Sequence, residues 1–356
     1  MFELSDFTGL YSSWERLKNT DKPVFVYGMG DGCLKLFSQF ERFGIKPAGI
    51  FASDEFVRGH SFLGYEVKTL SRVEQENPDG FVIALAFAAG YRELIDKIDR
   101  IAERHELIMP DTAVIGGEPF LKETLEQNID DAKRVFENLA DDKSREVFKN
   151  VLKYKITGDI SFLKECETDP CETYQSILKP SAGEVYVDLG AYNGDTVKEY
   201  TSFAKDYEKI YALEPNARNF RKLSEYLNTI DCAEAVNAAA WDKCEEIMFS
   251  KGGGRQSHAQ AKGVPTKAVS VDSLLGGGRA DYIKYDVEGE ERRAIAGSAE
   301  TIKRFSPKLC VAVYHRLLDM FELPNQIKSL CPDYKMYLRH YPYYPAWETN
   351  LITVKN

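Results

Sequence analysis

The chain has 356 residues, 44% of them hydrophobic, and a net charge of −10. That length exceeds the size at which a single core stops growing, so at least two domains are expected, with enough apolar content for both. The acidic balance and the lack of a long basic stripe exclude the electrostatic footprint of phosphate-backbone binding, so no nucleic-acid partner is expected.

Membrane and secretory roles are also disfavoured. The longest apolar run, residues 81–89, is too short to span a bilayer, and MFELSDFTGLYSSWERLK lacks the basic start of a signal peptide. The seven cysteines form no C-x-x-C, and their odd number argues against a complete disulfide framework. A cytoplasmic protein is expected.

Residues 1–20 have Leu10, Trp14 and Leu17 at the spacing of an amphipathic leading helix. A strand over Val24 to Tyr27 then runs into Gly28, Gly30 and Gly32, and Cys33 to Phe43 has helical spacing. Further strands are expected at Ala48 to Phe51, Gly64 to Val67, Phe81 to Leu85 and Leu107 to Met109, with a helix from Arg92 to Arg104. Residues 1–115 therefore form a Rossmann-like N-terminal domain. Its glycines suggest a second nucleotide site, with Asp54 as ribose partner. Against this, Cys33 stands where the third glycine of the fingerprint should be, and G-x-G after a strand also serves helix packing. The stretch FASDEFVRGHSFLGYEV (51–67) resembles the linker of Rossmann-like domains on sugar-modifying enzymes, a hint at fold level only.

Residues 116–180 are rich in charge and helix formers, with Phe136, Leu139, Val147, Phe148, Val151 and Leu152 at helical spacing. A helical connector is expected, with a lid over the acceptor as the alternative. Tyr174 either faces the site or packs in the core.

From Gly183 to Asn219 the chain reads as strand, glycine-rich turn, helix, strand and acidic residue. Val185 to Val187 ends on Asp188; Gly190 and Gly194 punctuate the turn; Ile210 to Leu213 ends on Glu214 and Pro215. This is the βαβ layout of a nucleotide-binding sheet. The turn lacks G-x-G-x-x-G, and Asp188 and Asp195 stand where a pyrophosphate would sit. Acids there suit a ligand bearing an amino group or a sulfonium, which points to S-adenosylmethionine (SAM).

A helix from Ala217 to Leu227 follows, then strands over Ala235 to Ala240 and Glu246 to Ser250. Lys251 to Gly254 with Arg255, Gln256, Ser257 and His258 has the composition of a surface loop that contacts acceptor. Gly276 to Gly278 forms a hinge. A strand over Tyr282 to Tyr285 delivers Asp286 and Glu288, so three acids (Asp188, Glu214, Asp286) fall at strand tips, where open α/β sheets collect ligands. A strand over Leu309 to Tyr314 ends on His315. Tyr341-Pro-Tyr-Tyr-Pro-Ala-Trp347 either stacks on a sugar face or packs a terminal strand pair with Leu351 to Val354.

VDLGAYNGDT (187–196), ALEPNARNF (212–220), VNAAAWD (236–242), VSVDSLL (269–275), DYIKYDVEGEE (281–291) and AVYHRLLDM (312–320) together resemble the FkbM-type methyltransferases. The resemblance covers roughly Tyr174 to the C-terminus. It implies a class I SAM-methyltransferase doubly wound sheet over residues 181–356, preceded by the smaller Rossmann-like α/β domain and the connector.

On this reading Asp188, Gly190, Tyr192, Asn193, Gly194, Asp195 and Thr196 surround the amino-acid portion of SAM. Glu214 holds the ribose, and Pro215, Asn216, Ala240 and Trp241 lie near the adenine. For a hydroxyl acceptor, His315 leads as general base, with Asp286 and Glu288 competing as base or acceptor-orienting carboxylates. His258 and His340 are weaker candidates, and His60 and His105 are expected to be solvated. Asp286, Glu288 and His315 could assemble a metal cluster, but nothing in their spacing demands one, and no metal is expected.

The leading function is methylation of a sugar or other small-molecule hydroxyl. The alternative is a non-catalytic SAM- or nucleotide-sugar-binding partner in a biosynthetic complex. A third reading, an NAD-dependent oxidoreductase in the first domain, lacks its fingerprint. A small-molecule or glycan acceptor is the expected partner; its identity, O- versus N-methylation and self-association into a homo-oligomer stay open.

Overall fold

A computed structural model describes residues 2–57, 59, 61–249 and 263–355. The first sheet holds β1 (Val24–Tyr27), β2 (Gly49–Ala52), β3 (Ser61–Phe62), β4 (Tyr65–Thr69), β5 (Val82–Leu85) and β6 (Glu106–Ile108), in the order β3-β4-β2-β1-β5-β6. All its neighbours pair in parallel except the β3–β4 hairpin. β1, β2 and β5 are buried along their whole length, because helices cover both faces.

The second sheet runs β15-β16-β14-β13-β7-β8-β9. Its members are β7 (Glu184–Leu189), β8 (Tyr207–Leu213), β9 (Ala233–Val236), β13 (Tyr282–Tyr285), β14 (Lys308–Ala312), β15 (Lys335–His340) and β16 (Thr349–Val354). Strand order reverses between β7 and β13, and β16 is inserted antiparallel between β14 and β15. A small third sheet joins β10 (Ala239–Ala240), β11 (Glu245–Phe249) and β12 (Val264–Val269).

Three local expectations change. The leading helix is broken into a short 3₁₀ turn, Leu4–Phe7, and a helix, Ser13–Asn19. Gly9 takes φ 78° between them, and Ser12 and Glu15 form a capping box that restarts the helix. The strand expected over residues 235–240 is divided between two sheets, as β9 and β10. The strand at 245–249 leaves the main sheet and pairs with β12, which the sequence pattern did not reveal. The acceptor loop expected at Lys251, Gly254, Arg255, Gln256, Ser257 and His258 lies outside the described residues, as does His60.

The connector is helical, and its longest helix, Asp142–Thr157, buries Val147, Phe148, Val151, Leu152 and Tyr154 completely. These side chains belong to one apolar cluster that also contains Ile83 and Ile95 of the first sheet's layers and Val187, Ile283 and Phe321 of the second. The N-terminal segment, the connector and the second sheet therefore share a continuous core. A buried ion pair, Lys155 Nζ to Asp111 at 3.2 Å, ties the connector to the chain leaving the first sheet. Arg339 of β15 donates to Asp141 and Ser144 at the start of the connector helix.

Candidate active site

The carboxyl ends of the second sheet open onto a cleft of about 1040 Å³. Gly190, directly after β7, shapes its floor. The residue has φ 86°, and a Cβ there would meet the Asp286 carbonyl at 1.8 Å. Only glycine lets β7 and β13 close at the point where strand order reverses. Tyr192 and Gly194 also have positive φ, so the chain doubles back before the helix Asp195–Phe203 begins.

Glu214, at the tip of β8, holds this turn from the side. Its Oε2 accepts the Tyr192 N–H at 3.0 Å and its Oε1 accepts the Asn216 N–H at 2.8 Å. Burial pushes its carboxyl up to about 7, against the lowering effect of those hydrogen bonds. Asp188 is fully buried beneath the turn; Thr196 donates to its Oδ2, and its Oδ1 has no hydrogen-bond partner among the described residues. Gly190, Tyr192, Asn193, Asp195, Thr196, Glu214, Pro215, Ala240 and Trp241 all line the cleft. Gly194 starts the helix behind them, and Asn216 caps the helix Ala217–Leu227 instead of reaching the cleft wall.

The second group of acids follows β13. Glu288 takes φ 54°, a conformation that costs a non-glycine residue about 1–3 kcal/mol and recurs at functional sites. His315, 2% exposed, sits among three carboxylates: Nε2 is 3.5 Å from Asp286 and 3.6 Å from Glu288, and Nδ1 is 3.0 Å from Glu291. Burial works against its charged form, yet Glu291, Asp286 and Glu288 outweigh burial and raise the imidazole to about 10. It is therefore an imidazolium at neutral pH, and that charge persists until pH rises through about 10.

Sequence reasoning missed Lys284 and Glu291. Lys284 is the register partner of Asp188 across β13 and β7, and its Nζ lies 3.3 Å from Asp286. Burial opposes its charge, but Asp286 and Asp188 hold it protonated. A lone lysine in an otherwise apolar strand was the available signal. Glu291 closed the quoted motif DYIKYDVEGEE, but nothing there showed that it turns inward to accept the Val287 N–H and face His315.

The remaining candidates lie elsewhere. His340 is buried and hydrogen-bonded to Thr349, and burial lowers it to about 3. His105 is 2.9 Å from Glu74 in the first domain. Around the proposed second nucleotide site, a Cβ at Gly28 would meet the Phe87 ring and one at Gly32 the Ala86 carbonyl, whereas Gly30 faces open space and Asp54 is exposed. Tyr174 is buried, stacks on Phe203, and borders the cleft.

A doubly wound parallel sheet with one antiparallel inserted strand, and a glycine turn at the strand-order reversal, is the architecture of the class I SAM-dependent methyltransferases. Residues 188–344 match the family model "Methyltransferase FkbM domain", and the chain carries such a domain. Its cofactor is SAM.

The crystal structure of a methyltransferase FkbM from Methylobacillus flagellatus KT is similar in fold over 98% of this chain and 92% of that one, with a TM-score of 0.72 and 19% identity. An rRNA methylase from Streptococcus thermophilus matches 53% of this chain and 97% of its own, at a TM-score of 0.36 and 12% identity. No curated protein matches the chain. Among the described residues, no helix is long and apolar enough to cross a membrane.

Proposed function

We propose that the protein transfers the methyl group of SAM to a hydroxyl of a sugar or similar small acceptor. The observation that carries this reading is that Glu214 and Asp286, from two strands flanking β7, line one cleft at the strand-order reversal, with Asp188 of β7 buried beneath its glycine turn. SAM brings an electrophilic methyl on a positive sulfur, and an acidic cleft favours that charge. The buried, hydrogen-bond-deficient Asp188 Oδ1 and the tightly turned Gly190 to Gly194 backbone suit the amino-acid end of such a ligand. The Glu214 carboxylate suits ribose hydroxyls, which donate hydrogen bonds to it.

The acceptor proton passes to Glu288. An imidazolium has no lone pair to receive a proton, so the role expected of His315 becomes one of position: it holds Asp286 and Glu288 together by charge. Asp286 already accepts from Lys284 and from the Tyr314 hydroxyl at 3.4 Å. Asp286, Glu291 and His315 offer ligand atoms within 4.8 Å of one another, a spacing compatible with a metal ion. The two imidazole nitrogens are divided between opposite carboxylates, which favours neutralisation by the imidazolium and a metal-independent transfer. Seven free cysteines are in keeping with a cytoplasmic setting.

Calorimetric titration of SAM tests this reading. The wild type should bind, with or without EDTA, and Glu214→Gln should bind about 10- to 30-fold more weakly, the loss of one to two charge-assisted hydrogen bonds. No binding by the folded wild type would sink the proposal.

The same carboxylate predicts a pH dependence. Its raised value means that the empty protein favours neutral Glu214 below about 7, while ribose hydroxyls favour the ionised form. SAM affinity should therefore rise about tenfold between pH 6 and pH 8, as the ionised fraction grows. The rise should be absent in Glu214→Gln.

A further inference from the structure

Among the described residues that line the cleft, Lys284 and His315 are the two with basic side chains. The first domain brings none. Its border with the cleft runs where Ala89 forms an antiparallel bridge with Tyr344, and its lining residues there (Ala88, Gly90, Tyr91, Leu94) are uncharged. Gly90 lies directly against Tyr343: a Cβ at that position would come within 2.4 Å of the ring. Tyr343 in turn stacks on Trp347, with centroids 6.1 Å apart. The segment joining β15 to β16 therefore offers aromatic rings and the acid Glu348, but no cation.

The two basic groups differ in what they have left to give. His315 is 2% exposed, and its two ring nitrogens are shared among Asp286, Glu288 and Glu291. Lys284 enters from β13, on the sheet face shared with its register partners Asp188 of β7 and Cys310 of β14. Its ammonium has three donors. Among the described residues it makes one hydrogen bond, to Asp286 at 3.3 Å. The side chain is 14% exposed, and donors buried to that extent normally find partners. Asp188 beside it has the opposite deficit: Oδ1 is buried and lacks a partner among the described residues, while Thr196 of the cleft wall donates to Oδ2.

A zwitterion answers both deficits. The amino-acid end of SAM carries a carboxylate and an ammonium on one carbon. Acids suit the ammonium but repel the carboxylate, which needs a charged donor of its own. Lys284 supplies one beneath the glycine turn, where Asp188 already marks the place of the amino-acid end. The ammonium and sulfonium of SAM offset the negative charge that the carboxylate adds.

We propose that Lys284 binds the α-carboxylate of SAM. The lysine then has two tasks: it neutralises the acids of β7 and β13, and it reads the one group that separates SAM from its decarboxylated form. This rests on the assignment of SAM as cofactor and is independent of the acceptor.

The test is calorimetric titration of the full chain with SAM and with decarboxylated SAM, which keeps the adenosine, sulfonium and ammonium and lacks the carboxylate. The wild type should bind SAM about 30-fold more tightly, the effect of charge-assisted hydrogen bonds to one carboxylate. In Lys284→Met the two affinities should agree within about threefold; this ratio is a double-mutant cycle between side chain and ligand, so general effects of the substitution cancel. Lys284→Gln keeps a donor for Asp286 and removes the charge. It should show the same collapse, and it decides the question if the methionine variant does not fold.

Equal affinities in the wild type overturn the inference. So does a wild-type ratio retained in a folded Lys284 variant, which would move the carboxylate to another group. Both results leave the methyltransferase reading standing. Folded wild type that binds neither ligand removes that reading together with the inference.

Discussion

Glu288→Gln is expected to slow methyl transfer about 1000-fold while leaving SAM affinity within a factor of about two, because general-base removal costs roughly 10²- to 10⁴-fold. The argument is geometric. Glu288 stands three residues beyond β13 in a left-handed conformation that side chains rarely adopt, two positions after Asp286, which accepts from a lysine and a tyrosine. The amide keeps the volume of the carboxylate and can still accept from the imidazolium, so positioning survives and proton acceptance does not. Single-turnover rates separate the two effects. A variant with normal rate would assign the proton-accepting role to Asp286, which shares His315 Nε2 with Glu288.

Lys284→Met should destabilise the fold by about 3–5 kcal/mol, the range seen when one partner of a buried ion pair is removed. Lys284 sits between Asp188 and Asp286 with its side chain 14% exposed. Methionine fills the space but removes the positive charge shared by both acids, of which Asp188 already lacks a partner for Oδ1 among the described residues. Urea unfolding measures the loss. The double variant Lys284→Met with Asp188→Asn should recover about 1–2 kcal/mol of it, since coupled residues are not additive. Full additivity would show that the lysine does not neutralise Asp188.

What was legible in the sequence depended on whether the signal was local. The strands Val24 to Tyr27 and Val185 to Val187 are continuous apolar runs, and Tyr282 to Tyr285 is one broken only by Lys284; they appear in the structure as inner strands of the two sheets. The positions of Glu214 and Asp286 just past their strands followed from the strand ends alone, whereas Asp188, expected at a tip, lies inside β7 and is buried. Lys284 was opaque because its meaning lies in the register of β13 on β7, which no single segment encodes. The state of His315 was opaque for the same reason: a histidine after a strand reads as a base until Asp286, Glu288 and Glu291 are found around it. The two-residue strand β10 is too short to leave a period, so the third sheet went unseen. The contact between Gly90 and Tyr343 joins positions more than 250 residues apart in the chain, beyond any pattern of spacing.

The segment at 341–348 connects two antiparallel strands whose pairing runs continuously from Lys335–Val354 to His340–Thr349. Those strands are anchored in the sheet, while the connection that carries Tyr343, Trp347 and Glu348 is separate in sequence from β7 and β8, which flank the glycine turn. The glycine turn and this connection are thus separate stretches of the sequence that border one cleft. A graft that exchanges the connection, retaining Tyr344 for its bridge to Ala89, is expected to leave SAM affinity unchanged, which calorimetric titration checks.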